Sequence, residues 1–335
     1  MKEYKIASFD FATEDVYDVI RSRFPENFEL ITLETGTLED RIEKARDADF
    51  IIAATGSIPT EAIRTAKNLK MIQQQGVGFD KTDVELATEL NIEVCITPEG
   101  TSVGVAEHTI LLILSLYKKL VTISKDMYEG KFPMWDYRAQ SYEIFGKTVG
   151  LVGFGRISME VAKRLQGFEP RIVVYDKYVR LSKEEQDRLN IIQIETLEEL
   201  LKISDIVSVH MPSNNQTRGS INKEFFNKMK ETAIFINTSR GDLVNEQDLF
   251  DVLYNNKIAG AGIDVYPIEP LPSDNPYIKL PNVTLTPHIS AGTVDALKTK
   301  IDHVCANINR YLNGEETLHS LNKDRIRKEQ HSNAY

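Results

Sequence analysis

The sequence contains few of the residues on which disulfide-stabilised, metal-binding and membrane-spanning proteins depend. Only two of its 335 residues are cysteines, Cys95 and Cys305, and both lie in apolar stretches where a thiol packs as a small hydrophobic side chain. Neither the cysteines nor the six histidines have the spacing of metal ligands, so we predict no metal site. The most apolar run, residues 109–117, is well short of the length that crosses a bilayer.

An excess of basic residues is also missing. The chain has 40 Lys and Arg against 50 Asp and Glu, a formal net charge of −10, and the acids are scattered along it. Such a surface repels a polyphosphate backbone, which argues against nucleic acid as a partner. Residues 1–5 lack the basic start and apolar run of a signal peptide, so we expect a cytoplasmic protein that contacts no membrane.

The length and the remaining composition favour two globular domains of the α/β class. A chain of 335 residues is longer than a typical single domain. Its composition, with 41% hydrophobic and 27% charged residues, is ordinary for a globular protein. Predicted strands and helices alternate in the first part of the chain. The strands are 5–9, 28–31, 50–54, 71–74 and 92–96, and the helices are 13–24, 38–45, 59–66 and 83–90. This alternation predicts a parallel sheet covered on both faces.

A glycine-containing segment, residues 148–158, occupies the middle of the chain. It predicts a strand, a tight turn at Gly153 and Gly155, and the start of a helix, an arrangement whose free amides bind a pyrophosphate. A second strand ends in Asp176, 21 residues after Gly155, where an acid binds ribose hydroxyls. Ser158 replaces the third glycine, and a residue this small is expected to be tolerated. Because Asp176 repels a 2′-phosphate, we predict NAD rather than NADP, although Lys177 weakens that preference.

From this segment onwards the alternation restarts and forms a second domain. Its six predicted strands are 148–152, 171–175, 206–210, 233–237, 260–265 and 283–286. The polar break at 97–102 precedes a long helix that includes Val105–Tyr117 and is apolar nearly all round, which predicts burial between domains or subunits. A C-terminal helix at 293–312 is long enough to return to the first domain, and we expect the polar tail from about residue 320 to be mobile.

Two loops have open interpretations. Residues 75–80 follow a predicted strand and contain Gly76 and Gly78; they form either an ordinary turn with positive φ angles or a nest of amides that binds a carboxylate. Residues 128–142 hold several aromatic side chains, including the single tryptophan, Trp135. Such a segment more often packs than catalyses, whereas exposed aromatic side chains would indicate a subunit contact.

Polar residues follow three consecutive strands of the second domain. Arg240, Glu269 and His288 come after the fourth, fifth and sixth strands, so they are expected along the same sheet edge as the glycine turn. Taken singly, each has an ordinary explanation as a surface ion pair, a solvated loop or a structural histidine. Taken together beside a nicotinamide, they suit hydride chemistry on a carboxylic acid. Arg240 would bind the carboxylate, His288 would exchange a proton with the ketone oxygen, and Glu269 would orient the imidazole.

The order and spacing of these segments resemble the signatures of the D-isomer-specific 2-hydroxyacid dehydrogenase family over nearly the whole chain. The matching segments are residues 76–80, 105–109, 153–157, 237–241, 262–265, 269–272 and 286–289. The resemblance implies two doubly wound α/β domains, with an NAD-binding Rossmann domain at 101–289 inserted into a flavodoxin-like substrate domain at 1–100 and 290–335. It also implies a cleft that closes on binding and a homodimer built through the cofactor domain.

The resemblance assigns roles residue by residue. Arg240, Glu269 and His288 would be catalytic, and Val77 and Gly78 would offer backbone amides to the substrate. The implied cofactor contacts are Gly153, Gly155, Arg156, Ile157, Asp176, Met211, Pro212, Thr217, Thr238 and Asp264, the last at the carboxamide end.

One departure bears on the substrate. Where phosphoglycerate-oxidising relatives would place a basic residue, this chain has Ala54. From the length of the chain we also expect no added regulatory domain. We therefore expect a small unphosphorylated 2-keto acid, such as pyruvate, glyoxylate, hydroxypyruvate or a branched 2-keto acid. A corepressor-like protein that senses NADH with little turnover is the alternative. An enzyme acting on formate or phosphite is a third possibility, which Glu269 disfavours because a carboxylate stabilises a protonated histidine.

Overall fold

The computed structural model of the chain describes residues 3–326. It divides into two compact units. Unit 1 comprises Met1–Thr101 and Thr293–Tyr335, and unit 2 comprises Ser102–Gly292. The chain therefore leaves unit 1 once, after residue 101, and returns to it at residue 293.

Unit 1 is built on a five-stranded parallel sheet. Its strands are β1 (Tyr4–Ser8), β2 (Phe28–Ile31), β3 (Phe50–Ala53), β4 (Met71–Gln74) and β5 (Glu93–Ile96), and its first helices are α1 (Glu14–Arg21), α2 (Leu38–Ala45), α3 (Thr60–Thr65) and α4 (Val84–Glu89). The strand order is β2-β1-β3-β4-β5, which is the flavodoxin-like order. Because both faces of β3 are buried, the strand is apolar throughout, as expected for a central parallel strand.

Unit 2 is built on a seven-stranded parallel sheet. Its strands are β6 (Thr148–Val152), β7 (Arg171–Tyr175), β8 (Ile191–Gln193), β9 (Ile206–Val209), β10 (Ile234–Asn237), β11 (Gly260–Ile263) and β12 (Val283–Leu285). Its helices are α5 (Ser102–Tyr117), α6 (Leu120–Tyr128), α7 (Arg156–Leu165), α8 (Lys183–Leu189), α9 (Leu197–Ile203), α10 (Lys223–Phe226) and α11 (Glu246–Tyr254). The order β12-β11-β10-β9-β6-β7-β8 contains the doubly wound dinucleotide-binding arrangement.

The prediction of six strands in this sheet is corrected to seven. The missed strand, β8, has only three residues and pairs with β7 at the edge of the sheet. An edge strand this short carries no alternation of apolar and polar residues long enough to be recognised.

Most side chains of helix α5 are buried, and they pack in a core of unit 2. Leu112 packs in the core that contains Val149 and Ile236, although Val103 and Leu111 remain about half exposed. Among the described residues, no helix combines the length and the apolar character needed to cross a membrane.

Several aromatic side chains at the end of α6 and after it are exposed. Tyr128, Phe132 and Trp135 are 91%, 74% and 70% exposed, and the Arg138 guanidinium lies 3.8 Å from the centre of the Trp135 ring. Packing inside unit 2 therefore does not account for these side chains, whereas a subunit contact would.

The C-terminal helix, α12 (Val294–Leu312), contributes Ile301, Val304 and Ile308 to the core of unit 1. The expectation of a mobile tail is wrong for residues 320–326. Leu321 N donates to Val94 O (2.8 Å), and the Asn322 side chain accepts from Val94 N (2.9 Å), so this segment covers the edge of β5. The rest of the predicted tail, residues 327–335, lies outside the described residues.

Candidate active site

The glycine turn after β6 has the form of a dinucleotide-binding loop. Gly153 has φ +87°, and a Cβ there would lie 2.8 Å from His210 O, so only glycine fits. Gly155 is the N-cap of α7, and a Cβ built on it would meet no heavy atom within 4 Å. Ser158 is buried, and its hydroxyl donates to Gly153 O, which ties the turn to the first turn of α7. Open space therefore faces the free amides that begin α7, with Arg156 exposed and Ile157 half-buried beside them.

Asp176 follows β7 and closes the other side of this turn. Its Oδ2 accepts from Phe154 N (2.8 Å), and its Oδ1 accepts from Tyr178 N (2.8 Å) and Val179 N (2.9 Å). Burial by itself raises the pKa of Asp176, but these amide hydrogen bonds and the charge of Arg180 lower it overall. The group is therefore held as a carboxylate, and Oδ2 keeps a lone pair that a ribose hydroxyl can use.

The loop after β9 is closed on itself. Thr217 Oγ1 donates to Pro212 O (2.7 Å) and accepts from Asn214 N (2.9 Å), so Met211, Pro212 and Thr217 belong to one ordered turn. Met211 borders the glycine turn, because its Cγ would lie 3.0 Å from a Cβ at Gly153.

The loop after β10 presents Thr238 and Arg240. Thr238 is buried, with its Oγ1 3.0 Å from Thr109 Oγ1 on α5. The Asn237 side chain donates to Arg240 O (2.9 Å) and accepts from Ser239 N (3.0 Å), which fixes the bend. The half-buried Arg240 guanidinium donates from Nη1 to Ser239 O (2.7 Å).

The structure brings Glu269 and His288 into contact. His288 Nδ1 lies 3.0 Å from both carboxylate oxygens of Glu269, and Tyr266 N also donates to Glu269 Oε1 (3.2 Å). With Nδ1 held by a carboxylate, Nε2 is the ring nitrogen left for proton transfer. The side chains of His288 and Glu269 are 29% and 21% exposed, so the pair is accessible but shielded.

The ends of β10, β11 and β12 are neighbours in the sheet. Asp264 N donates to Asn237 O and Thr286 N donates to Ile263 O, each at 3.0 Å. The loops that carry Arg240 and the pair of Glu269 and His288 therefore begin side by side, as the strand-end argument predicts.

Asp264 is placed differently from a simple cofactor contact. Its carboxylate is fully buried, accepts from Thr286 Oγ1 (2.6 Å), Ile289 N (3.0 Å) and Ser290 N (3.0 Å), and lies beneath the turn that carries His288. His108 Nε2 on α5 lies 2.9 Å from Thr286 Oγ1. Sequence reasoning gave His108 and Thr286 no role, and a lone histidine on an otherwise apolar helix was the one available signal.

Val77 and Gly78 lie in unit 1, in the loop that follows β4. Val77 is 44% exposed, and Gln75 N, two residues earlier, donates to Ala53 O (2.7 Å). The interpretation of a turn with positive φ at both glycines is wrong for Gly76, whose φ is outside the left-handed region. Backbone amides of Val77 and Gly78 as substrate ligands stay a prediction.

Fold and site together define a dinucleotide-binding α/β protein with two doubly wound sheets. Residues 110–290 match the family model described as D-isomer specific 2-hydroxyacid dehydrogenase, NAD binding domain. A glyoxylate reductase from Korarchaeum cryptofilum is 32% identical over 323 residues, which cover 95% of this chain and 96% of that protein. The chain belongs to the D-isomer-specific 2-hydroxyacid dehydrogenase family, and the predictions of family and fold class are confirmed.

Other similar proteins differ in length and in bound cofactor. A D-3-phosphoglycerate dehydrogenase from Archaeoglobus fulgidus is 35% identical over 85% of this chain, which spans only about half of that protein (53%). An NAD-dependent formate dehydrogenase from Staphylococcus aureus, solved with NAD, has a TM-score of 0.80 and 28% identity over 94% of this chain and 98% of its own. An acyclic imino acid reductase solved with NADPH has a TM-score of 0.77 and 29% identity over 95% and 99% of the two chains.

Proposed function

We propose that the protein interconverts a small unphosphorylated 2-keto acid and its D-2-hydroxy acid by NAD(H)-dependent hydride transfer. The observation that carries the proposal is the contact between His288 Nδ1 and both oxygens of Glu269, 3.0 Å each, at the end of a dinucleotide-binding sheet. The stereochemistry follows from family membership alone.

In this proposal each side chain has one task. Arg240 binds the substrate carboxylate through two parallel hydrogen bonds, which orient the ketone. His288 donates the proton on Nε2 to the ketone oxygen as the alcohol forms, and takes it back in the opposite direction. Glu269 accepts from Nδ1, fixes the tautomer and stabilises the imidazolium that is present before the transfer. The bound nicotinamide supplies or accepts the hydride.

The cofactor is proposed to lie along the glycine turn, with the pyrophosphate at the start of α7. An NAD preference over NADP is supported by Asp176, because its carboxylate would repel a 2′-phosphate. Asp264 as a contact of the carboxamide stays a prediction, since its two oxygens accept from Thr286, Ile289 and Ser290.

An unphosphorylated substrate is supported by the loop after β3. Ala54 N donates to the Asp10 carboxylate (2.6 Å), and the alanine side chain offers no cation to a phosphate. The glyoxylate reductase among the relatives acts, by its name, on a small 2-keto acid. The relatives described above are enzymes by name, and none of these names supports the corepressor alternative.

A homodimer formed through unit 2 is part of the proposal. Leu120 and Val121 on α6 are more than half exposed, and the exposed Phe132 and Trp135 follow them along the chain. Exposed apolar and aromatic side chains of this kind are enriched at subunit interfaces.

A substrate panel tests the function. NADH oxidation is measured with glyoxylate, pyruvate, hydroxypyruvate, branched 2-keto acids and 3-phosphohydroxypyruvate, and the D- and L-alcohols are tested in the opposite direction with NAD. We expect turnover with an unphosphorylated acid and oxidation of the D-alcohol only. Absence of turnover across the panel, with NADH-dependent partner binding instead, would overturn the proposal in favour of the corepressor alternative.

A further inference from the structure

His108 is a polar residue in an apolar setting. It lies on α5 with its side chain 12% exposed, and its Nε2 is 2.9 Å from Thr286 Oγ1 and 3.6 Å from Asp264 Oδ1. Thr286 and Asp264 lie at the ends of two neighbouring strands, β12 and β11. The histidine therefore bridges the helix to the sheet edge on which His288 is carried.

His108, Thr286 and Asp264 form a chain of hydrogen bonds. The direction of each bond in it follows from which atoms carry a proton. The Thr286 hydroxyl has one proton and donates it to Asp264 Oδ1 at 2.6 Å, since a carboxylate only accepts. Thr286 Oγ1 must then accept from His108 Nε2, so His108 carries its proton on Nε2. Burial lowers the pKa of His108, opposed by the charge of Asp264, which makes the neutral Nε2–H form the one present near pH 7.

The end of this chain is the turn that carries the acid/base histidine. The Asp264 carboxylate accepts from Ile289 N and Ser290 N, and Asp264 O accepts from His288 N (2.7 Å). His288 itself has φ +51°, a left-handed conformation that residues other than glycine adopt rarely. Asp264 therefore fixes the backbone of His288, independently of the contact between the His288 ring and Glu269.

We propose that His108 is a positioning residue for the reaction, acting through Thr286 and Asp264 to hold the His288 turn in the conformation that presents Nε2 to the substrate. The inference rests on the proposed function, because it assigns a role in that chemistry. His108 touches neither the substrate nor the cofactor in this account. Its contribution is the single N–H that completes the hydrogen bonds of the Thr286 hydroxyl.

The test compares variants that remove or retain this donor. His108→Leu removes it, His108→Gln places an amide N–H at a similar reach, and Thr286→Val breaks the same link from the other side with little change of volume. Glu107→Leu is the matched control, because Glu107 is on the same helical turn and its side chain is 63% exposed. The measurements are kcat and KM for the preferred keto acid and for NADH, together with the melting temperature.

We expect His108→Leu to lower kcat about tenfold to a hundredfold, with unchanged KM for NADH, because a small displacement of the catalytic group slows the chemical step. His108→Gln should recover most of the loss, and Glu107→Leu should match the wild type. The double variant of His108→Leu and Thr286→Val should be no slower than the slower single variant, since both break one chain of hydrogen bonds. Full kcat in either folded single variant overturns the inference.

A second readout does not depend on turnover. Long-range ¹H–¹⁵N spectra of the wild type, with the His108 signals assigned by their absence in His108→Gln, should show the Nε2–H tautomer at neutral pH. A proton on Nδ1 instead overturns the inference. If the wild type shows this tautomer but turns over no keto acid, the proposed function fails while the hydrogen-bond chain stands. If it turns over a keto acid with the other tautomer, only the role of His108 fails.

Discussion

The two parallel sheets present very different groups at their carboxyl ends. In unit 2 the edge carries Arg240 and the pair of His288 and Glu269, side chains that keep partial exposure and are able to act on a ligand. In unit 1 an acid also follows a strand end, Asp10 after β1. Its carboxylate accepts from Thr55 N (2.9 Å) and Gly56 N (2.8 Å). The same architecture therefore carries reactive side chains in one unit and a backbone held by a carboxylate in the other.

The difference shows that two doubly wound sheets in one chain can carry different functional groups at the same kind of edge. Loops after parallel strands are the usual ligand position in both units. In unit 2 they carry the pair of His288 and Glu269, whereas in unit 1 the loop after β5 carries Glu99, whose carboxylate lies 3.3 Å from His319 and 4.0 Å from His303, two residues of the C-terminal segment.

The loop of unit 1 that includes Ala54 offers small side chains and main-chain groups, and Lys81 Nζ donates to Thr55 O in it (3.2 Å). We expect this unit to distinguish ligands by shape. Our predictions test this division, beginning with the residue whose loss should matter most.

Replacing His288 by alanine should have the largest effect. We expect the rate of keto acid reduction to fall by about 10²–10⁴-fold, because a positioned acid/base group contributes roughly this much. NADH binding should persist, since the glycine turn and Asp176 are unchanged. Steady-state NADH oxidation measures the first quantity, and the fluorescence enhancement of bound NADH measures the second.

Glu269→Gln should lower the rate of keto acid reduction less than His288→Ala does. An amide can still accept from His288 Nδ1 but lacks the charge that stabilises an imidazolium. Undiminished turnover in a correctly folded His288→Ala protein would place the proton donor elsewhere and remove the main contrast between the two sheet edges.

The contrast itself was largely predictable from sequence, because it depends on which residues follow which strands. A buried parallel strand such as β3 is a continuous apolar run that is easily recognised, and Glu269 and His288 come in the loops that follow their strands. Their direct contact at 3.0 Å was predicted from the chemistry of a histidine beside a carboxylate.

The rest depended on side chains meeting across long separations in sequence. Asn322 looks like one more polar residue of a tail, but its side chain accepts from Val94 N and donates to Ile92 O and Thr88 Oγ1, which anchors the segment on β5. His108 and Thr286 are 178 residues apart. No local pattern reports such pairs, since each member alone resembles an ordinary surface or structural residue.

Replacing Asp176 should have an intermediate effect, on the preference for NADH over NADPH. Asp176→Asn keeps one acceptor oxygen, which can serve either Phe154 N or the amides of Tyr178 and Val179 but not both sides, and it loses the charge. We expect kcat/KM for NADH to fall about tenfold, since a hydrogen bond to a charged group is weakened, while kcat/KM for NADPH stays level or rises. Parallel assays with the two cofactors measure the ratio.

Asp187→Asn controls for the loss of an acid from unit 2, because Asp187 is exposed and its charge is 2.7 Å from Lys183. An unchanged ratio of NADH to NADPH in Asp176→Asn would mean that the preference is set elsewhere, and Lys177 would be the next residue to replace.

The smallest expected effect concerns the buried charge of unit 1. Lys300 on α12 is 7% exposed, and burial lowers the pKa of its ammonium group, with only partial compensation from the charge of Asp10. A lysine whose pKa is lower in the folded chain than in the unfolded chain destabilises the fold at neutral pH, and that penalty shrinks only as the pH rises through the lowered pKa. Lys300→Met should therefore stabilise unit 1 by about 1 kcal/mol, or raise the melting temperature by about 2–4 °C.

The measurement is thermal unfolding at neutral pH, with Lys298→Met as control because Lys298 is exposed on the same helix. If the division between the units holds, Lys300→Met keeps its kcat and gains stability, since no charged side chain of unit 1 takes part in the reaction. A variant that is more stable but has a raised KM for the keto acid would show that evolution retained a costly buried cation for the ligand. Unit 1 would then contribute a charge as well as a shape, and the contrast between the two sheet edges would have to be withdrawn.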